Sequence, residues 1–368
     1  MKVLIVTPFF NENPSVSRPS FVNSVLQDAS HDTTVLTSDY SHQEKKKINR
    51  NKSILIRTIS YKTNRSFKRL LSHFILSLKF GFYIIFNHKV YDRVYITVPF
   101  GITALLASFI CRDKIVVDIV DFWPDSLPFP KTLKSIGAPV FFIWRYINKY
   151  SIQRCPKVMS LSSVFLKESG RENTGQQILL GAKPQFKNVV QLSSKKLRIL
   201  YIGNIGALYD FDTLIDAIKE SKLSIHIDFV GSGDLEFNLR EKLKTNNISH
   251  NFHGVIYNEN ELINIVAKSD VGFNGFRDTT ASLSYKSVLY MSYGLPIINS
   301  MSGDLYDFVE LNNLGFNYES ENINGLTKAL GAVYYSDRVN LSNSVKQFFS
   351  TNFDYEVVSK KILDIFNG

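Results

Sequence analysis

The chain reads as an α/β protein of two Rossmann-like domains, each a parallel sheet covered by helices on both faces. Three observations carry this reading. Short apolar, β-rich runs alternate with helix-patterned stretches in two successive series. The strand runs are apolar throughout instead of alternating with polar residues, the pattern of strands buried on both faces. At 368 residues the chain is long for one domain and suits two of ordinary size, with 44% hydrophobic and 13% aromatic residues to fill two cores.

The first series places strands at 2–7, 33–37, 53–57, 93–98, 115–120 and 157–161, and the second at 197–202, 224–230, 250–256, 270–274 and 295–299. Between them, PQFKNVVQLSSKK (184–196) is polar, has no apolar period and reads as the linker. The division is therefore a first domain over 1–185, a second over 195–345 and a helix-patterned tail over 346–368. No repeat of solenoid period is present.

Cys111 and Cys155 lie far apart with neither C-x-x-C nor Cys/His ligand spacing, so no disulfide framework or zinc site is indicated and a reducing cytosol is expected. MKVLIVTPFF, running into Asn11–Pro14, reads as a first buried strand and its loop instead of a leader. The most apolar stretch, 70–86, contains Ser72, His73 and Lys79 and falls short of a clean bilayer-crossing run. The net charge of +10 is uneven: residues 1–190 hold 27 Lys and Arg against 12 Asp and Glu, the remainder 16 against 21. Within the basic half, residues 62–89 interleave Lys62, Arg65, Lys68, Arg69, Lys79 and Lys89 with Leu, Phe, Ile and Tyr. That mixture suits a helix lying on an anionic membrane surface, which points to a cytoplasmic protein peripherally associated with the inner face of the plasma membrane; the alternative is a partly buried helix with solvated cations. Without a zinc-finger, RNP or helix-turn-helix pattern, nucleic-acid binding is set aside.

The chemistry concentrates in SLSYKSVLYMSYGLPIINS (282–300). Ser284, Tyr285 and Lys286 open a helix, where unpaired N–H groups and the positive dipole end meet two hydroxyls and a cation: a site for an anion, most simply a phosphate. The plain alternative is a surface helix with a solvated lysine. Gly203-Asn204-Ile205-Gly206 follows a strand and precedes a helix, as a pyrophosphate loop or an ordinary tight turn would. Gly231 and Gly233 carry the same ambiguity and lean toward a structural turn near a base pocket. In open α/β sheets ligands sit at the carboxyl ends of strands, so the loops after 202, 230, 274 and 299 should face those after 7, 98 and 120 across a cleft. There Asp121 is placed to hold or deprotonate a hydroxyl, or else to bond its own loop. Asp125 has the position of a helix cap before Ser126, Trp123 that of a sugar platform or core residue, and Arg18 that of a phosphate contact or a solvated cation.

The 282–300 segment resembles the helix and turn K-x-x-E-Y-M-A-x-G-x-P-V-I of sugar-nucleotide-dependent glycosyltransferases with the GT-B fold, in the large family-four retaining group. LRILYIGNIGALYDFDTLIDAI (197–218), IDFVGSGDLEFNLREKL (227–243), NFHGVI (251–256) and ELINIVAKSDVGFNGF (261–276) are similar to successive units of that family's donor domain. KIVVDIVDFWPDSLP (114–128) resembles the D-x-W-P-x-S strand end of a bacterial surface-polysaccharide branch. The resemblance implies an acceptor-binding first domain, a donor-binding second domain and a final helix crossing back to the first. It also implies transfer of a sugar, with retention, from a nucleotide-sugar to a lipid-diphosphate-linked or polymeric glycan acceptor in O-antigen or capsule synthesis. Gly203, Asn204, Gly231, Gly233, Ser284 and Tyr285 would then hold the donor, Lys286 and Arg277 its diphosphate, and Asp121 the acceptor. The nucleotide-sugar is a co-substrate, no further cofactor is implied, and without a D-x-D pair at a strand end no essential metal is expected.

Two departures matter. Ala281 and Leu289 stand where the family has its Glu-x7-Glu pair, and Asn204 and Tyr209 where it has Arg and Lys. A branch with Ser-Tyr-Lys in place of the first Glu, among bacterial enzymes that glycosylate adhesins or build galactofuranose polymers, is the closer match. Two alternatives remain open: a sugar-nucleotide 2-epimerase, whose carboxylates and histidine have no obvious counterpart even in His253, and a non-catalytic GT-B partner subunit.

Overall fold

The computed structural model describes residues 1–14, 17–41, 44–50, 53–62, 66–99, 101–124, 137–186, 196–277 and 281–368. Arg65, Asp125, Ser126 and most of the linker lie outside them. The chain forms two compact units, residues 1–179 with 358–368, and residues 180–357.

The first unit is built on β1 (Lys2–Val6), β2 (Asp32–Ser38), β5 (Ser53–Ile56), β6 (Arg93–Val98), β7 (Ile115–Ile119), β8 (Lys157–Ser160) and β9 (Gln176–Gln177), preceded in the chain after β2 by a small hairpin of β3 (Tyr40–Ser41) and β4 (Lys46–Lys47). The seven strands form one parallel sheet in the order β5-β2-β1-β6-β7-β8-β9. Val3, Leu4, Ile5 and Val6 are buried on both faces, as is every residue of β7, which is why these strands lack an alternating pattern. Helices α1 (Arg18–Asp28), α2 (Phe67–Asn87), α3 (Ile102–Ser108), α4 (Ala138–Arg154) and α5 (Ser163–Glu168) complete it.

In the second unit β10 (Leu197–Ile202), β11 (Ile225–Val230), β12 (Ser249–Phe252), β13 (Val271–Asn274), β14 (Ile297–Asn299) and β15 (Gly315–Asn317) form a parallel sheet in the order β12-β11-β10-β13-β14-β15. Its helices are α6 (Phe211–Ser221), α7 (Glu236–Thr245), α8 (Glu259–Val266), α9 (Tyr285–Ser292), α10 (Asp304–Leu311), α11 (Ile323–Tyr335) and α12 (Arg338–Asn352). Tyr201, Phe211, Phe229, Phe273 and Leu330 sit together in the core on one face of this sheet. The chain order reverses beside β10, whose neighbours are β11 and β13, so the crevice of this unit opens at the carboxyl ends of β10 and β13.

The structure differs from the strand pattern in a few places. β12 stops at Phe252 instead of 256, because Gly254 turns with φ +68° and its carbonyl accepts from Gly231 N–H. β15 was not expected; a Cβ on its Gly315 would fall 1.9 Å from the Ile297 carbonyl oxygen, so the glycine is what lets the edge strand approach. The helical tail breaks at Phe353–Asp354 into α12 and α13 (Tyr355–Asn367), and residues from Val358 on belong to the first unit, where the Phe366 ring packs against Tyr95 and its carbonyl accepts from Arg93.

The basic helix reading at 62–89 needs amending in its charges. Arg69 is buried with its guanidinium 5.0 Å from the Trp123 ring, and Lys79 donates to the Arg57 carbonyl. Lys68, Lys79 and Lys89 stay exposed, and beside them an apolar stripe faces outward. Leu76, Phe80 and Ile84 pack α2 into the core, while Leu71, Phe74, Phe82 and Phe86 on its other side are exposed, Phe86 at 81%. By length and composition residues 68–90 are sufficient to cross a bilayer, but the inner stripe is committed to the sheet. α3 packs against both α2 and α4, and α4 repeats the arrangement with exposed Val140, Phe142, Ile143 and Tyr146.

Candidate functional site

The site in the second unit begins with how α9 is fixed to the sheet. The β10–β13 ladder pairs Ile199 with Val271 and Leu200 with Gly272 and goes no further. Beyond it the buried Tyr290 hydroxyl takes over, accepting from Ile202 N–H at 2.8 Å and donating to the Phe273 carbonyl at 3.3 Å. A Cβ on Gly272 would lie 2.5 Å from the Tyr290 ring, so glycine is needed where this ring crosses the strand. One helical turn back from Tyr290, on the same side of α9, is Lys286.

Lys286 is held by aromatic faces. Its ammonium lies 3.9 Å from the centroid of Tyr201, 3.8 Å from that of Tyr209 and 5.2 Å from that of Phe276. It is buried, and it makes no hydrogen bond to any described residue. Burial pushes its pKa well below that of a free lysine. Cation–π attraction from two close rings opposes this by on the order of 2 kcal/mol, less than the several kcal/mol of desolvating an ammonium. The Lys286 nitrogen thus has no hydrogen-bond partner among the described residues, and an anion bound in the crevice would favour the charged form.

The turn after β10 lies against this lysine: Gly203 has φ +135°, and a Cβ on it would stand 3.4 Å from Lys286 Cε. Gly203 N–H donates to Val230 O and Ile205 N–H to Ser232 O, which leaves exposed Asn204 and buried Gly206 with backbone N–H groups that bond no described residue. Gly231 and Gly233 interlock with this turn, since Cβ atoms on them would fall 2.0 Å from Gly203 O and 2.3 Å from Ile205 O. Their geometry is that of two loops packed backbone to backbone. Ser284 is the cap of α9, its hydroxyl accepting from Ser287 N–H at 3.0 Å and donating to Asn274 Oδ1 at 2.9 Å; Tyr285 is exposed at the first turn. Arg277 points elsewhere, its guanidinium donating to Asp212 at 2.8 Å with Glu321 at 3.9 Å. The structure therefore brings Lys286, Gly203, Asn204 and the α9 N-terminus together and turns Arg277 toward α6.

In the first unit Asp121 bonds its own loop, accepting from Phe122 N–H at 2.9 Å and the Trp123 indole at 2.6 Å. Trp123 is a core residue, buried between Phe9, Leu70 and Trp144. Arg18 is no surface contact: it is 5% exposed and donates to the fully buried Asp118 at 2.8 Å, which also accepts from Tyr95 at 2.6 Å. Asp118 and the Tyr201–Tyr209–Phe276 cage went unread in the sequence, because burial and ring orientation are not encoded in spacing. Tyr209, standing where the resembled family has lysine, was the available signal.

Residues 196–335 match the family model described as Glycosyl transferases group 1. The match lies within the second unit and spans 140 of the 368 residues. No curated protein matches the chain in sequence. Among solved structures, the chain is similar along its full length to a glycosyltransferase from Rickettsia africae (14% identity, TM-score 0.68, 97% of that chain). It is similar also to HepE of Anabaena in complex with UDP (14%, 0.69, 100%) and to WaaG, a glycosyltransferase involved in lipopolysaccharide biosynthesis (12%, 0.67, 100%). At these identities the likeness shows the fold, which is GT-B.

Proposed function

We propose that the protein transfers a sugar, with retention, from a nucleotide-sugar bound by its second unit to a glycan or lipid-diphosphate-linked acceptor in the making of a bacterial surface polysaccharide. The observation that carries this is the buried ammonium of Lys286, without a hydrogen-bond partner among the described residues, beside the Gly203 turn and the α9 N-terminus at the topological switch point. As the glycosidic bond breaks, negative charge gathers on the leaving diphosphate. A fixed cation and oriented N–H groups in a dry site stabilise that charge without having to reorganise. Asp121, oriented by Trp123, is the candidate for the acceptor hydroxyl in this reading. The apolar outer faces of α2 and α4 suit a protein that works at a lipid surface.

The test is Lys286→Ala. Removing a charge-assisted contact made to the transition state is expected to lower turnover by about 10²-fold or more while the protein stays folded. Turnover within about threefold of wild type, on the sugar nucleotide found by screening for transfer or hydrolysis, would remove Lys286 from the diphosphate.

A further inference from the structure

Tyr201, near the end of β10, touches both halves of the anion site. It is fully buried, and its ring is wedged among those of Phe211, Tyr209 and Phe229, with centroids 4.8, 5.5 and 6.0 Å away. Packing on this scale fixes the ring plane and the direction of the hydroxyl together. One face takes the Lys286 ammonium, 3.9 Å from the centroid. The hydroxyl, at the far end of the same ring, donates to the Asn204 carbonyl in the turn after the strand. A Cβ on Gly203 would lie 3.8 Å from that hydroxyl and 3.4 Å from Lys286 Cε, so the cation and the turn meet at this one residue.

What the hydroxyl does to the turn follows from peptide planarity. The Asn204 carbonyl and the Ile205 N–H belong to one rigid unit. Tyr201 holds its oxygen and the Ser232 carbonyl accepts from its N–H, so the unit is fixed at both ends. The N–H groups of Asn204 and Gly206, which bond no described residue, belong to the units on either side of it. The Gly206 unit has a tie of its own, because the Ile205 carbonyl accepts from Leu235 N–H at 3.0 Å. The unit carrying the Asn204 N–H has no such second tie among the described residues, since no backbone N–H donates to the Gly203 carbonyl. Its direction is therefore set across a single α-carbon from the peptide that Tyr201 holds.

We infer that Tyr201 is a positioning residue for the transfer: its hydroxyl aims the Asn204 N–H while its ring face holds the Lys286 ammonium, so that both donors are presented together to one anion. The inference rests on the proposed reading of this crevice as the diphosphate site.

Tyr201→Phe separates the two parts, since it keeps the ring and removes the hydroxyl. Initial rates on the sugar nucleotide found by screening, thermal melting, and calorimetric titration with UDP, GDP, dTDP and ADP are compared in wild type, Tyr201→Phe and Lys286→Ala. A misaimed N–H acts on the charge that gathers on the leaving diphosphate, so kcat of Tyr201→Phe is expected to fall about tenfold while KM stays within about threefold. The free diphosphate carries that same charge, and the affinity for whichever of the four binds wild type is expected to fall about tenfold as well. The melting temperature is expected to stay within about 2 °C, because Asn204 is exposed and water can replace the lost hydroxyl at its carbonyl. Unchanged kcat and diphosphate affinity in Tyr201→Phe, beside a Lys286→Ala variant that has lost both, would overturn the positioning role alone. A loss of rate that comes with a fall in melting temperature of more than about 5 °C would assign the hydroxyl to stability and overturn it too. Lys286→Ala within about threefold of wild type would overturn the diphosphate reading, and the role of Tyr201 with it. A wild-type protein that turns over no sugar nucleotide and binds none of the four diphosphates would do the same.

Discussion

At the scale of single residues, Lys286 couples function to stability with a definite sign. Its folded pKa is lowered by burial, so between that value and the ordinary lysine value of about 10.4 the unfolded chain holds more protons than the folded one. The free protein therefore gains stability as pH rises through that interval. Lys286→Met keeps the volume and removes the desolvated charge. It is expected to melt about 2–4 °C higher than wild type at neutral pH, as about 1 kcal/mol would do in a unit of this size, with the gain shrinking as pH approaches 10. The nucleoside diphosphate of whichever sugar nucleotide screening identifies as donor is expected to stabilise wild type more than the variant. A lower melting temperature for Lys286→Met across the whole pH range would mean that the aromatic cage, not an absent anion, is the true partner of the ammonium. Arg18 shows the reverse case: a cation that reads as a ligand contact is committed to Asp118, and an ion pair buried on both sides answers to stability.

At the scale of elements, the placement of Lys286 depends on α9 as a whole. The helix is eight residues long and would be marginal alone. It is anchored at its start by Ser284 and through its middle by Tyr290, whose hydroxyl replaces the missing ladder bond between β10 and β13. Tyr290→Phe leaves Ile202 N–H unpaired inside the unit. It is expected to lower stability by about 1–3 kcal/mol, and to depress turnover more than Leu289→Ala on the partly exposed side of the same helix. Denaturant unfolding alongside initial rates checks both; equal effects of the two substitutions on rate would show that α9 is positioned by its general packing and not by this hydroxyl.

At the scale of the molecule, helices that bury one apolar stripe and expose a second have more apolar surface than the fold consumes. Phe86 on α2 and Phe142 on α4 are exposed on two helices that both pack against α3, and exposed Lys68, Lys89 and Lys149 lie on or beside the same helices. The expected behaviour is co-sedimentation with anionic phospholipid vesicles at low salt, partial release as salt rises, and a tenfold or greater loss of bound fraction in the Phe86→Ala, Phe142→Ala double variant, since each ring is worth about 1.5–3 kcal/mol when buried. Equal recovery on neutral and anionic vesicles would exclude the electrostatic part, and an unaffected double variant the apolar part.

How much was legible in the sequence follows from which interactions are local. Fully apolar strand runs and their spacing determined the two parallel sheets, because burial on both faces leaves a one-dimensional trace; the Ser284–Lys286 step marked the helix start, because capping is settled within one turn. The edge strand β15 and the break after α12 left no such trace, since each exists only where distant backbone comes alongside. The same holds within the site. The family resemblance offered Lys286 first and Arg277 second as cations for a diphosphate, and the sequence offered Gly203 as a phosphate turn with Gly231 and Gly233 leaning toward a structural one. Only the tertiary structure separated them, turning Arg277 onto Asp212, locking Gly231 and Gly233 against the neighbouring loop, and enclosing Lys286 among three rings, because a side chain's partner is decided by direction and burial, which spacing along the chain does not record.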